Sequence, residues 1–529
     1  MTEWWRGAVL YQIWPRSFAD SDGDGIGDLR GVIDKLDHLE NLGVEGIWLS
    51  PFFTSPMADY GYDVADYCNV DPTFGTLADF DALLAQAHKR GIKIIIDQVY
   101  SHSSDQHPWF HESRQDHTNP KADWYVWAEA KEDGSPPNNW LSVFGGSAWA
   151  WDTRRRQYYL HNFLAEQPDL NFHNPAVQDA MLDVARFWLD RGVDGFRLDV
   201  ANYFFHDAAL RNNPVVGTLG HARPSQFQRH LYERSRPETL GFVKRLRALL
   251  DSYTDRMAVA EIDSSEPTKR SIAYTEDKTL LHTAYNFHFL RADTLTPRLI
   301  RETAEEWEAT NAWPSWSFSN HDVRRAVTRW GGQDGSAALA KQLLTLLCTL
   351  RGTLFLYQGD ELGLPQADLR FEDLRDPEAI RFWPEDLGRD GARTPMPWAA
   401  AAPHAGFTKD APWMKIDERH GAMAADQQRL DERSVLRHAQ DIIALRRKNK
   451  TLRTGSITFH HAPEPLLTFT RSSGGERIWC AFNLSPEPCQ VHAPGGLELM
   501  PGTANAHLTG TEVKFAPYGA VVGRSTNGK

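Results

Sequence analysis

"LADFDALLAQAHKRGIKIIIDQVY", residues 77–100, decides the fold. Its first half places Leu77, Phe80, Leu84 and Ala87 at helical spacing. Its second half is a β-rich run too continuously apolar to have a wet face, which marks a strand buried on both sides. The same alternation runs outward in both directions. Upstream lie "AVLYQIWPRSF" (8–18), the helical "LRGVIDKLDHLENLG" (29–43) and the strand "VEGIWLSPF" (44–52). Downstream come the helix "PAVQDAMLDVARFWLDRG" (175–192) and the strand "VDGFRLDV" (193–200). "MAVAEID" (257–263), "TAYNFHFL" (283–290), "PSWSFSNHD" (314–322) and "GTLFLYQGDELG" (352–363) complete a set of eight. Eight such units predict an α/β fold, a closed (β/α)8 TIM barrel with insertions.

Two stretches depart from the alternation. Residues 102–173 show no clear helix but hold Trp109, Trp124, Trp127, Trp140, Trp149 and Trp151, as an inserted domain B would. From 453 to 529 the pattern is β-only. There "LLTFTRSSGGERIWCAFNLSP" (466–486) reads as a hairpin of a C-terminal antiparallel β-domain, domain C. The barrel, domain A, then takes residues 1–101 and 174–452.

Composition narrows the function. The chain has 529 residues, 41% hydrophobic and 24% charged, with a net charge of −13. That balance fits a globular protein and argues against nucleic acid or anionic membranes as partners. No apolar run is long enough to span a bilayer. Cys68, Cys348, Cys480 and Cys489 lack metal or redox spacing and are expected to be buried free thiols. Glu3, Arg6 and Arg16 interrupt the N-terminal stretch, so no export signal is expected and a cytoplasmic location is.

Carboxylates recur at strand ends: Asp97, Asp199, Glu261 and Asp322 close the third, fourth, fifth and seventh runs. In a (β/α)8 barrel these ends converge on one pocket. A carboxylate beside an apolar strand is costly to leave unpaired, and any one of the four could simply cap a helix or meet an arginine. The recurrence at the same end argues against that explanation for all four. Two carboxylates flanking one bond suit glycoside cleavage, one attacking and the other delivering a proton. Arg197, on the same strand face as Asp199, is expected to keep it ionised, whereas the apolar setting of Glu261 favours its protonated form.

The loop "FADSDGDGIGDLRG" (18–31) sets Asp20, Asp22, Asp24 and Asp28 around Gly25. Asp20, Asp22, Asp24, the Ile26 carbonyl and Asp28 fall at positions 1, 3, 5, 7 and 9 of a calcium loop, with glycine at 6. Position 12 is Gly31 rather than Glu, and a strand precedes the loop, so it is no EF-hand. A structural Ca2+ is expected, with Mg2+ the alternative.

"DQVYSH" (97–102), "GFRLDVAN" (195–202), "AVAEID" (258–263) and "FSNHD" (318–322) resemble the four short motifs of glycoside hydrolase family 13, the α-amylase family. "QPDLN" (167–171), the opening stretch 7–29 and "RDGARTPMPW" (389–398) resemble its α-glucosidase and oligo-1,6-glucosidase branch. The resemblance covers nearly the whole chain and implies the same barrel, B domain and C-terminal β-domain. It implies that Asp199 is the nucleophile, Glu261 the general acid/base and Asp322 the third carboxylate, and that the opening loop binds calcium. Arg197, His102 and His321 would line the subsite of the attacked glucose, with Tyr62 beneath the ring. Asp59, paired with Arg393, would grip the non-reducing end. Phe144, Phe163, Gln167 and Val200 are further candidates for substrate contact.

Together these readings imply an exo-acting, retaining α-glucosidase for short α-glucosides, with the carboxyl groups about 5–5.5 Å apart. Val200 after the nucleophile accompanies α-1,6 action in the family, whereas the segment around "HDAALRNNP" (206–214) resembles enzymes favouring short α-1,4 substrates and transfer to alcohols. Within the family the alternative is a transglucosylase or sucrose isomerase, although no Arg-Leu-Asp-Arg-Asp motif is present. A non-catalytic partner protein on the same fold is the alternative of another class. Monomer and homodimer are both compatible with the sequence.

Overall fold

A computed structural model describes residues 3–217 and 223–525. Each apolar run forms a short parallel strand: β1 Val9–Ile13, β2 Gly46–Leu49, β3 Lys93–Gln98, β4 Gly195–Leu198, β5 Met257–Ala260, β6 Thr283–Ala284, β7 Ser315–Ser317 and β8 Thr353–Tyr357. Their order in the sheet is β6-β5-β4-β3-β2-β1-β8-β7. A parallel bridge between Tyr285 and Ser315 joins the two outer strands and closes the barrel.

Alternation along the strands explains the continuous apolar runs. Leu10, Trp48, Ile95, Met257, Val259 and Phe355 pack together inside the barrel. Their neighbours Val9, Tyr11, Ile47, Leu49, Ile94, Ile96, Phe196 and Leu198 pack into the larger core with the surrounding helices. One step of two residues towards the strand C-termini turns the interior polar. Ile95 gives way to Asp97, Gly195 to Arg197 and then Asp199, and Val259 to Glu261.

The surrounding helix Leu77–Lys89 begins with a Thr76–Asp79 capping box and buries Phe80, Leu83, Leu84 and Ala87. The helix expected over 29–43 is two segments, Leu29–Asp34 and Leu36–Leu42, interrupted at Lys35. β6 is shorter than its apolar run. Asn286 accepts the His288 N–H at 2.7 Å and starts a helix, Phe287–Arg291, where the sequence suggested continued strand.

Between β3 and β4, Trp127–Ala128, Trp149–Asp152 and Gln157–Leu160 form an antiparallel sheet around Trp140, Trp149 and Leu160. A six-residue helix, Pro108–Ser113, precedes it, which the sequence reading missed. One and a half turns are too short to display periodicity, and its N-cap is His107 rather than a usual capping residue.

After Thr454 every regular element is a strand. Leu466–Ser473 and Glu476–Asn483 pair as the expected hairpin, and Gly474 and Gly475 both have positive φ, as its tight turn requires. The 14-residue strand Glu512–Ser525 organises the rest of this sheet. All four cysteines are free, but only Cys348 and Cys480 are buried; Cys68 and Cys489 are half-exposed. Among the described residues no helix is long and apolar enough to cross a membrane.

Candidate active site

Parallel register brings the catalytic candidates together. Asp97 lies beside Arg197, Leu198 beside Ala260, and the next residues of β4 and β5 are Asp199 and Glu261. Arg197 is fully buried in their midst. Its Nη1 donates to Asp97 Oδ1 at 2.8 Å and to Asp199 Oδ1 at 2.5 Å, and its Nη2 donates to Glu261 Oε2. Nη2 and Nε also donate to the Tyr285 hydroxyl at 2.7 and 3.0 Å. One guanidinium therefore serves three carboxylates. Tyr285 was not singled out from sequence, because nothing marks a tyrosine after a short strand as a partner for a distant arginine.

Burial corrects the expectation for Asp199. Burial pushes its carboxyl up to about 7, against the opposing charge of Arg197. Glu261 is pushed well above the carboxylate range by burial, with the Asp199 and Asp322 charges adding to it and Arg197 opposing. Two raised carboxyls on adjacent strand ends titrate as a pair.

Tyr62 and His321 extend the cluster. Gln12 Nε2 donates to His321 Nδ1 at 2.7 Å, leaving the ring proton on Nε2, which faces the Tyr62 hydroxyl at 2.6 Å. Tyr62 in turn donates to Asp97 Oδ2 at 3.1 Å, beside Trp48 Nε1 at 3.2 Å. Burial holds His321 neutral, far below its ordinary pKa. The Tyr62 ring stacks on His321 at 5.4 Å, with 5° between the planes, so one of its faces is already covered. His102 Nε2 donates to the Tyr62 carbonyl at 3.0 Å, and Gln167 Nε2 reaches Tyr62 O and Asp59 Oδ2, both at 3.3 Å. Phe163 lies 5.1 Å from the His102 ring and 6.4 Å from Phe144.

The ion pair at Asp59 differs from the expected one. Asp59 Oδ1 accepts from Arg389 Nη2 at 2.8 Å, whereas Arg393 Nη2 donates to Asp322 Oδ1 at 2.9 Å. Both arginines belong to "RDGARTPMPW", four residues apart, and the spacing alone could not say which reaches Asp59. Arg393 is held by its Nε bond to the His321 carbonyl at 2.8 Å and lies over the Trp14 ring. Arg389 is clamped by Asp376, at 2.7 and 3.0 Å, and lies over Phe144. Burial raises Asp59 despite Arg389 and Arg393. Asp322 is also raised by burial, but His321, Arg393 and Arg389 outweigh that and hold it at about 2.

Val200, between the nucleophile candidate and the following turn, has φ +33° and ψ +52°. A β-branched residue is strained there. In this conformation its N–H donates to Glu261 Oε2 at 3.2 Å.

In the opening loop, one carboxylate oxygen each of Asp20, Asp22 and Asp28 lie within 4.8 Å of one another. Three hard oxygens at that spacing fit a hard divalent cation. Asp24 stands outside this group. Its carboxylate turns back to accept the Ile26 N–H at 2.8 Å, and the charges of Asp22, Asp20 and Asp28 disfavour a fourth anion beside them. The loop is also tied to a later segment, since Thr408 donates to Asp20 Oδ2 at 2.5 Å.

Residues 12–455 match the family model of the α-amylase catalytic domain. The chain belongs to the α-amylase family. As a member it is an enzyme, a glycoside hydrolase, and its barrel is that of its family. It is 50% identical over 535 residues to a probable α-glucosidase of Rhizobium meliloti (strain 1021), covering 99% of this chain and 97% of that one. An oligo-1,6-glucosidase of Heyndrickxia coagulans is 38% identical over 565 residues, covering 99% of each. The crystal structure of the α-glucosyl transfer enzyme XgtA superposes with a TM-score of 0.96 at 52% identity, covering 99% of this chain and 100% of that one.

Proposed function

We propose that this enzyme is an exo-acting, retaining α-glucosidase of short α-glucosides such as maltose and isomaltose. The observation that carries the reading is the Asp199–Glu261 pair, on adjacent strand ends and both bonded to the one guanidinium of Arg197. That closeness favours the retaining over the wider inverting arrangement. Asp199 attacks the anomeric carbon while Glu261 protonates the departing oxygen. Glu261, now ionised, takes a proton from water, whose oxygen displaces Asp199 and releases α-glucose. Asp322, kept ionised, and Arg393 hold sugar hydroxyls, as do His102, His321 and Gln167. Tyr62, Phe144 and Phe163 supply apolar walls. The Asp59–Arg389 pair closes the end of the pocket, which supports chain-end substrates over mid-chain attack. Val200 and the residues after it border the leaving-group side and set linkage preference.

The opening loop holds a structural Ca2+ through Asp20, Asp22 and Asp28, with the Ile26 carbonyl as a further donor. Its chemistry is a positive charge that relieves the repulsion of the three aspartates.

Transfer of glucose to a sugar or alcohol in place of water uses the same intermediate, and the likeness to XgtA supports it as a second activity. Proton NMR of the glucose first released from p-nitrophenyl α-glucoside tests the main reading: α-glucose is expected first, and β-glucose first would overturn it. Product chromatography with an added alcohol reads the transfer activity.

A further inference from the structure

Asn202 is fully buried, three residues after Asp199, and it joins two loops. Its Oδ1 accepts the Asp263 N–H at 3.1 Å, and its Nδ2 donates to the Asp263 carbonyl at 2.7 Å. The side-chain amide thus pairs with Asp263 as a neighbouring strand would. Nδ2 also donates to Ser235 Oγ at 2.9 Å, and the Asn202 carbonyl accepts the Ser235 N–H at 2.6 Å. Both donors and the acceptor of the side chain are occupied, which no other residue of this size achieves with the same three partners.

Asp263 lies two residues after Glu261, so this clasp ties the loop after β4 to the loop after β5. Two bonds nearer the chemistry depend on that registration: the Ala201 N–H to the Glu261 carbonyl at 2.9 Å, and the Val200 N–H to Glu261 Oε2 at 3.2 Å. The second requires the left-handed backbone of Val200. A valine stays there only while its surroundings leave it no alternative. The buried clasp two residues on is such a restraint.

We propose that Asn202 is a positioning residue, which locks the nucleophile loop to the acid/base loop and thereby aims the Glu261 carboxyl at the leaving oxygen. The proposal rests on the reading of Glu261 as general acid/base. Its consequence depends on the leaving group. A sugar alcohol needs a proton as it departs, whereas fluoride leaves with little help, and kcat/KM reports this first step for both.

The experiment compares kcat/KM of Asn202→Ala on maltose and on α-glucosyl fluoride, with Glu261→Gln as the reference. Because general acid catalysis is worth about 10²–10⁴-fold, a misaimed acid is expected to lower the maltose value about 10- to 100-fold and the fluoride value less than about 3-fold. An equal fall on both substrates, or none, overturns the proposal and leaves Asn202 a packing residue. If Glu261→Gln itself shows no leaving-group dependence, the acid/base reading fails first and the proposal with it. If Asn202→Ala is not recovered folded, Ser235→Ala removes one partner of the clasp and is expected to show the same split at a few-fold; an equal effect on both substrates again overturns it.

Discussion

Replacing Arg389 with methionine keeps a long apolar stem but removes the guanidinium that donates to Asp59 at 2.8 Å and to Asp376 at 2.7 Å. Both carboxylates are buried and would lose their main cation. Breaking a buried ion pair from one side costs about 3–5 kcal/mol. At about 2.1 cal/mol/K per residue, a chain of 529 residues unfolding as one unit has an unfolding entropy of about 1.1 kcal/mol/K, so Tm is expected to fall by about 3–5 °C. The deficit should depend on pH. Burial already raises Asp59 against the pull of Arg389, and without that arginine its folded-state pKa moves further above the unfolded value. A carboxyl raised in this way keeps its contribution at low pH and loses it as pH rises through the folded pKa. The Tm deficit should therefore be smaller near about pH 5 than near about pH 8. Calorimetry on a double-mutant cycle with Asp59→Asn isolates the pair. Coupling of about 1–3 kcal/mol is expected between Asp59 and Arg389, and no more than about 0.5 kcal/mol between Asp59 and Arg393. Equal or stronger coupling to Arg393 would refute the assignment of the ion pair.

Turnover of maltose should rise with pH as Asp199, pushed up to about 7 by burial, loses its proton, and fall at higher pH as Glu261 loses its own. An acid limb of kcat/KM near the ordinary carboxylate value of about 4 would contradict this. Stripping metal with a chelator should lower Tm by about 2 °C, as loss of a cation present at about 100 times its Kd would. An unchanged melting curve after metal analysis shows none left refutes a stabilising ion. Val200→Thr adds a hydroxyl in nearly the same shape, worth about 0.5–1.5 kcal/mol if it meets the leaving sugar. The maltose-to-isomaltose ratio of kcat/KM should then rise several-fold, and an unmoved ratio would make Val200 a packing residue only.

Local pattern by itself determined the barrel. A strand buried on both faces must be apolar at every position, so eight such runs between amphipathic helices are legible without any tertiary contact. The period of two along a strand likewise foretold that Arg197 and Asp199 share a face. The Gly-Gly hairpin turn and the aspartate spacing of the opening loop were legible because their geometry is specified within a few residues. Tertiary structure decided what depends on contacts between distant segments or on burial. It gave Asp59 to Arg389 rather than Arg393, because arginines four apart in sequence are held by different anchors, Asp376 for one and the His321 carbonyl for the other. It turned Asp24 out of the aspartate group and ended β6 at an Asn286 cap. It also raised Asp199, since a sequence names the arginine nearby but not the water that burial removes, nor the Asp97 charge that draws on the same arginine. Hydrophobic period is a property of neighbours along the chain; desolvation and the partition of one cation among several anions exist only once the chain has folded.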